Sequence, residues 1–194
     1  MEIIPIFAPH LYAISYPKSY TTVWNEEICS HFKDEEIGNI DEFERNFELW
    51  SNPMYLYDYF ERNQVYLRVK FWRAFSIEDA ARITKQKAFE FEELLTEKNT
   101  NIESLFQPLD NRTIHFTEII KGKSKYDWLR LYAIKIDSNR FLITGGAIKL
   151  THKMEDHEST RDELKKLEKT KKFLVELGVI DGDSFDDALY EITL

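Results

Sequence analysis

The chain has a single cysteine, Cys29, so no internal disulfide can form and a cysteine-rich zinc site is excluded. Cys29 lies in the amphipathic stretch Glu26-Glu-Ile-Cys-Ser-His31 and reads as an ordinary buried thiol. Glycine and proline are scarce, 6 and 5 residues of 194, which argues against a many-turned β-sandwich and for long regular elements. No run approaches the ~18 apolar residues that a membrane span needs. The start, Met1-Glu-Ile-Ile-Pro-Ile-Phe7, has neither the basic flank nor the long apolar centre of a secretory signal. The expected location is therefore the cytoplasm. The five histidines are scattered, and no metal or other cofactor is expected.

Aromatic residues, in contrast, make up 14% of the chain and hydrophobic residues 43%, which excludes disorder and suits one globular domain. Basic residues are outnumbered, 26 to 35, for a net charge of −9. They are also unevenly spread. Residues 121–172 hold 14 basic and 8 acidic residues, a net of +6, while the remainder has 12 and 27, a net of −15. Such segregation marks a candidate surface for an anionic partner.

Hydrophobic periodicity gives an α+β order. Leu11–Tyr16 is β-like. Asp41 can cap a short helix with Phe43, Phe47 and Trp50, and Pro53 suits the first turn of a second helix whose Tyr57 and Phe60 would face the core. Ser76 to about Glu97 predicts the longest helix, with Ile77, Ala80, Ala81, Thr84, Ala88, Phe91 and Leu95 on one face. Trp128–Ile136 and Arg140–Leu150 are apolar on both faces and flank Asp137-Ser-Asn139, so they predict an antiparallel hairpin in a helix-covered sheet, under the helix from Ser76. Gly145-Gly146 implies a bulge or a close helix approach. Thr160 opens a last Lys-rich helix with Leu164, Leu167, Leu174 and Leu177 as its stripe and Gly178 as its stop.

Several constellations could carry chemistry. Lys149-Leu-Thr-His152-Lys153 follows the glycines and precedes the last helix. A metal-independent RNA cleaver needs a base, an acid and cations for the phosphorane charge. His152 suits either proton role, with Lys149, Lys153, Arg130 and Arg140 as phosphate ligands. Solvated ends of a hairpin and a helix give the same pattern. Lys121-Gly-Lys-Ser-Lys125 lacks the upstream glycine of a phosphate-binding P-loop and reads as a basic loop. Asp181-Gly-Asp-Ser-Phe-Asp-Asp187 fails the register of a calcium loop and predicts a helix cap at Asp183 or Ser184, within an acidic tail.

The C-terminal half resembles the RelE/HigB-type toxins of bacterial toxin–antitoxin modules. The resemblance covers residues 76–177. It rests on the long helix, Leu105-Phe-Gln-Pro-Leu109, Leu129-Arg-Leu-Tyr132, Phe141-Leu-Ile-Thr-Gly-Gly-Ala-Ile-Lys149 and the closing Lys/Glu helix. It implies a RelE-like α+β core with an N-terminal extension (1–75) and an acidic C-terminal tail (178–194). It also implies endoribonuclease action on RNA or at the ribosome without a metal, with Arg130 and Lys149 at the site, and a small antitoxin-like partner. The catalytic candidates are then Arg130, Lys149, His152 and Lys153, with Lys121, Lys123, Lys125, Arg140, Lys165 and Lys166 as RNA- or partner-binding residues. The chain is about twice the length of those toxins and acidic where they are basic. Two further readings stand beside the nuclease: a non-catalytic protein that docks an acidic partner through the same face, and self-association.

Overall fold

Two apolar runs joined by Asp137-Ser-Asn139 pair as antiparallel strands in the computed structural model. It describes residues 1–17, 40–68, 75–98, 100–108, 120–151 and 156–193. Cys29 lies outside them. The strands are β1 (Glu2–Phe7), β2 (Leu11–Ser15), β3 (Phe106–Pro108), β4 (Ile120–Tyr126), β5 (Leu129–Asp137) and β6 (Arg140–Ile148). The helices are α1 (Glu42–Ser51), α2 (Pro53–Arg62), α3 (Gln64–Leu67), α4 (Ile77–Thr96), α5 (Ile102–Leu105), α6 (Glu158–Glu176) and α7 (Gly182–Thr193). The fold is α+β. Among the described residues the strands form one six-stranded sheet in the order β1-β2-β6-β5-β4-β3. Every neighbouring pair is antiparallel except β2 and β6, which run parallel over Leu11–Ala13 and Phe141–Ile143.

The sheet has helices on both faces, which explains why β5 and β6 lack a polar side. Leu129, Leu131, Ala133, Phe141 and Ile143 join one core with α1, α2 and α4, and Tyr132, Ile134, Leu142 and Ala147 join the other with α6 and α7. Residues before 76 supply β1, β2 and α1–α3, all continuous with this sheet and its cores. Leu131, Ile134 and Ile143 are fully buried. Truncation of any one to Ala is expected to cost about 2–5 kcal/mol in urea unfolding, the usual cavity penalty. A cost under about 1 kcal/mol at all three would contradict this core.

Capping follows the sequence closely. Asp41 accepts from the Phe43 and Glu44 amides at 2.8 and 3.0 Å, Asn52 from Met54 and Tyr55 at 3.0 and 3.1 Å, and the Ser76 hydroxyl from Asp79 at 3.1 Å. At the end of α6, Gly178 takes φ +77°. Its amide donates to the Val175 carbonyl at 3.0 Å and that of Val179 to Leu174 at 2.9 Å, with Leu174 and Val179 buried together.

Five expectations change. The helix from Ser76, α4, packs mainly on α1 and α2; α1 is the helix laid along the sheet, and α4 reaches it where the Trp128 indole donates to Thr84 at 2.9 Å. Tyr57 is 40% exposed because the core face of α2 passes through Leu56 and Phe60. Lys121–Lys125 is not a loop: it is the centre of β4, paired residue for residue with β5 from Lys121↔Ile134 to Lys125↔Arg130. Helix α6 starts two residues before Thr160, at Glu158, because the ring of His157 caps it and Thr160 is buried, its hydroxyl donating to the His157 carbonyl. The acidic tail forms helix α7, capped by Asp181, which accepts from the Ser184 amide at 2.9 Å. Those bonds from Ser184 hold the exposed Asp181 carboxyl below its ordinary range.

The Gly-Gly break serves both suggested purposes. Tyr132 pairs with Gly145 and Ala133 with Ile143, so Thr144 is an extra residue in the ladder. A Cβ on Gly145 would stand 1.7 Å from the Glu163 Oε2 of α6. A Cβ on Gly146 would stand 2.8 Å from both the Trp50 ring and the Asn46 amide oxygen of α1. The two layers of helices thus close on β6 from opposite sides at adjacent residues.

Candidate functional site

The basic segment divides into positions at the surface and groups absorbed by the fold. Register brings Lys125 of β4 opposite Arg130 of β5, and Arg130 opposite Ala147 of β6, two residues before Lys149. Lys125 and Arg130 therefore share a cross-strand row at one end of the sheet, with Lys149 two residues beyond it and Lys121 and Lys123 at alternate positions further along β4. His152 and Lys153, which follow this row in sequence, lie outside the described residues.

Arg130 does not stand open in this row. Only 8% of it is exposed, and its Nη1 donates to the carbonyls of Asp127 and Leu129, each at 2.7 Å. Asp127 has φ 56°, so Arg130 braces the tight β4–β5 turn from inside. Burial lowers its pKa from the ordinary arginine value, offset in part by Tyr132 and Asp127.

Arg140 is elsewhere. It begins β6, roughly 26 Å of strand from Ile148. It pairs with Asp137 at 3.3 Å and Asp186 at 2.7 Å, donates to the Gly182 carbonyl and lies over the Phe185 ring. Its role there is to fasten α7 to the hairpin turn. Lys165 is exposed beside Asp162, at 2.7 Å.

Lys166 enters a second constellation that the residue pattern did not suggest. β2 and β6 pair only as far as Ala13 and Ile143, and beyond that point they part. Into this gap come side chains from helices on opposite faces. Glu42 of α1 takes the Arg45 guanidinium in a two-pronged pair, at 3.0 and 2.5 Å. Lys166 of α6 bridges Glu42 at 3.1 Å and Glu163 at 2.9 Å. Asn46 donates to the Glu42 carbonyl. The Tyr16 hydroxyl lies 3.1 Å from the Thr144 carbonyl, 3.3 Å from that of Lys166 and 2.7 Å from the Thr170 hydroxyl. All of these residues are buried, and Lys166 is only 2% exposed.

The two carboxyls in this cluster differ. Burial pushes Glu42 up, but Arg45 and Lys166 outweigh it and hold it below the ordinary glutamate value. Burial pushes Glu163 up to about 7, the nearby Glu42 charge adds to this, and Lys166 and Arg45 oppose it. Glu163 Oε2 is the only buried side-chain N or O atom without a hydrogen-bond partner among the described residues. Burial also raises Tyr16 well above the ordinary tyrosine range and lifts Asp41. Glu163 was detectable in principle: Glu163, Leu167, Thr170 and Leu174 follow four-three-four spacing, so the carboxylate occupies a stripe position.

Among the described residues no three His, Cys, Asp or Glu side chains gather to hold a metal, and no helix is long and apolar enough to cross a membrane. Comparison with protein-family models, with curated proteins and with solved structures returns no match.

Proposed function

We propose that this protein is a non-catalytic interaction module that docks an acidic protein partner through the basic segment 121–172. The observation that carries this reading is the position of Arg130. The arginine that a metal-free nuclease would direct at a phosphate is buried and bound to two carbonyls of its own hairpin. Lys166 is likewise enclosed, and Arg140 is paired at the far end of β6. Among the described residues the remaining candidates are Lys149 and the lysines of β4 and α6, which act as point charges and give no planar, bidentate phosphate grip.

A second consideration favours protein over RNA. Single-stranded RNA is held by stacking on aromatic rings beside a basic groove. Among the side chains described, the exposed large apolar ones (Met54, Tyr57, Val65, Phe89, Val175, Ile180 and Tyr190) lie on helices or next to them, none on β5 or β6. The net charge of −9 also repels a long polyanion more than a short acidic segment.

The test uses a short fluorescent oligo-glutamate peptide and a single-stranded homopolymeric RNA as probes. Oligo-glutamate binding is expected to fall steeply with salt, and joint replacement of Lys121, Lys123 and Lys125 by Gln to weaken it about tenfold or more, near 0.5–1 kcal/mol for each ion pair lost. RNA binding is expected to be weaker at equal salt. RNA cleavage that persists in EDTA and disappears in Arg130→Ala would overturn this reading and support the nuclease that the family resemblance implies.

A further inference from the structure

Glu163 is the one group in the buried cluster whose hydrogen bonding does not match its charge. Its Oε1 accepts from Lys166 at 2.9 Å, while its Oε2 faces the backbone of Gly145 with no donor. A buried carboxylate oxygen without a donor is costly; the neutral acid in the same place costs less. The charged and titratable groups around it are Glu42 and Arg45 from α1, Lys166 from its own helix, Tyr132 from β5 and Tyr16 from the end of β2. Arg45 directs its bonds at Glu42, so among the described residues Lys166 is the cation bonded to Glu163.

The position of the cluster gives this imbalance a mechanical consequence. Lys166 is the tie between α6, which covers one face of the sheet, and Glu42 at the start of α1 on the other. We propose that the Glu42–Arg45–Glu163–Lys166 cluster is a proton-operated latch that holds α6 against α1 through the gap between β2 and β6, closed while Glu163 is protonated. When Glu163 gives its proton to solvent, a bare charge is left against Gly145. Moving α6 outward lets water solvate both Glu163 and Lys166, so the open form prefers the ionised acid. The elevation of Glu163 to about 7 agrees with this direction. Linkage has one sign here. A folded-state value above the unfolded one stabilises the closed form at low pH, and that stabilisation is lost as pH rises through the folded value.

Backbone hydrogen exchange on the whole chain tests the latch. After correction for intrinsic rates, opening measured at the amides of residues 163–170 is expected to rise roughly tenfold per pH unit between about pH 5 and 7, then level off, because opening releases one proton. Amides of Leu131–Ile134 in β5 are expected to change much less. Glu163→Gln keeps the shape of the side chain without the titration and should flatten the α6 profile. Equal slopes in α6 and β5 would show that only global stability is titrating, and a slope that survives in the Gln variant would exclude Glu163; either result overturns the latch. A carbon-13 carboxyl titration of the native protein provides the check if the variant does not fold. A Glu163 resonance that changes near pH 7 supports the latch, and one already ionised at pH 5 overturns it.

Discussion

Lys166→Met is expected to destabilise the protein by about 3–5 kcal/mol, the cost of removing one member of a buried ion cluster. Methionine fills much of the volume of the lysine stem, so little of this is lost packing. The effect arises because Glu42 and Glu163 lose the ammonium group they share, at 3.1 and 2.9 Å. Two buried carboxyls then face each other with only Arg45, which is engaged with Glu42. The deficit should shrink between pH 7 and pH 5, since Glu163 is already inclined to hold a proton. Adding Glu163→Gln to the variant should recover part of the loss, because it removes one of the uncompensated charges. Urea unfolding of the two single variants and the double variant at both pH values measures this. A loss below about 1 kcal/mol at pH 7 would mean that water reaches the cluster freely.

Trp50→Ala is expected to cost a similar amount, about 3–5 kcal/mol. Trp50 is 2% exposed, meets the Phe47 ring edge-on at 5.3 Å and occupies the space that a side chain at residue 146 would otherwise need. Its removal opens a cavity between α1 and the bulged strand. The same contact makes Gly146→Ala unfavourable by about 1–3 kcal/mol through overpacking. Combined with Trp50→Phe, which withdraws ring atoms from that point, Gly146→Ala should cost less than on its own. Thermal unfolding of the set would reveal the coupling, and strictly additive losses would show that residues 50 and 146 do not compete for the same space.

The parts of this fold legible in the sequence are those governed by local rules. Asp41 and Ser76 cap the helices they precede, Gly178 stops α6, and the runs flanking Asp137-Ser-Asn139 pair as a hairpin, because each depends on a few neighbouring residues. Gly145-Gly146 signalled a disturbance but not its cause, which lies in Glu163, Trp50 and Asn46, all distant in sequence. The basic segment was legible as composition only. Lys165 and Lys166 are adjacent and chemically alike, yet one is exposed and the other 2% exposed. The difference is a matter of helix phase: Lys166 follows Glu163 by three positions and faces Glu42 across a strand gap that no local pattern describes. The parallel pairing of β2 with β6 was hidden for the same reason, since neither strand carries a mark of the other.

That pairing also bears on the order in which the chain can assemble. Within this chain the β1–β2 hairpin is synthesised before the helices and strands that pack on it. Among the described residues its other neighbour in the sheet is β6, made much later, and Leu11 must meet Phe141 across 130 positions of chain. Contacts this distant make folding slow, because the loop must close before the contact repays it. The β2 edge that pairs with β6, and Ile14, buried in the core shared with α6 and α7, therefore stay uncovered until the chain beyond residue 140 is made. A nascent chain halted before residue 140 would expose a hydrophobic strand with an unpaired edge, which makes this hairpin the segment most in need of a chaperone.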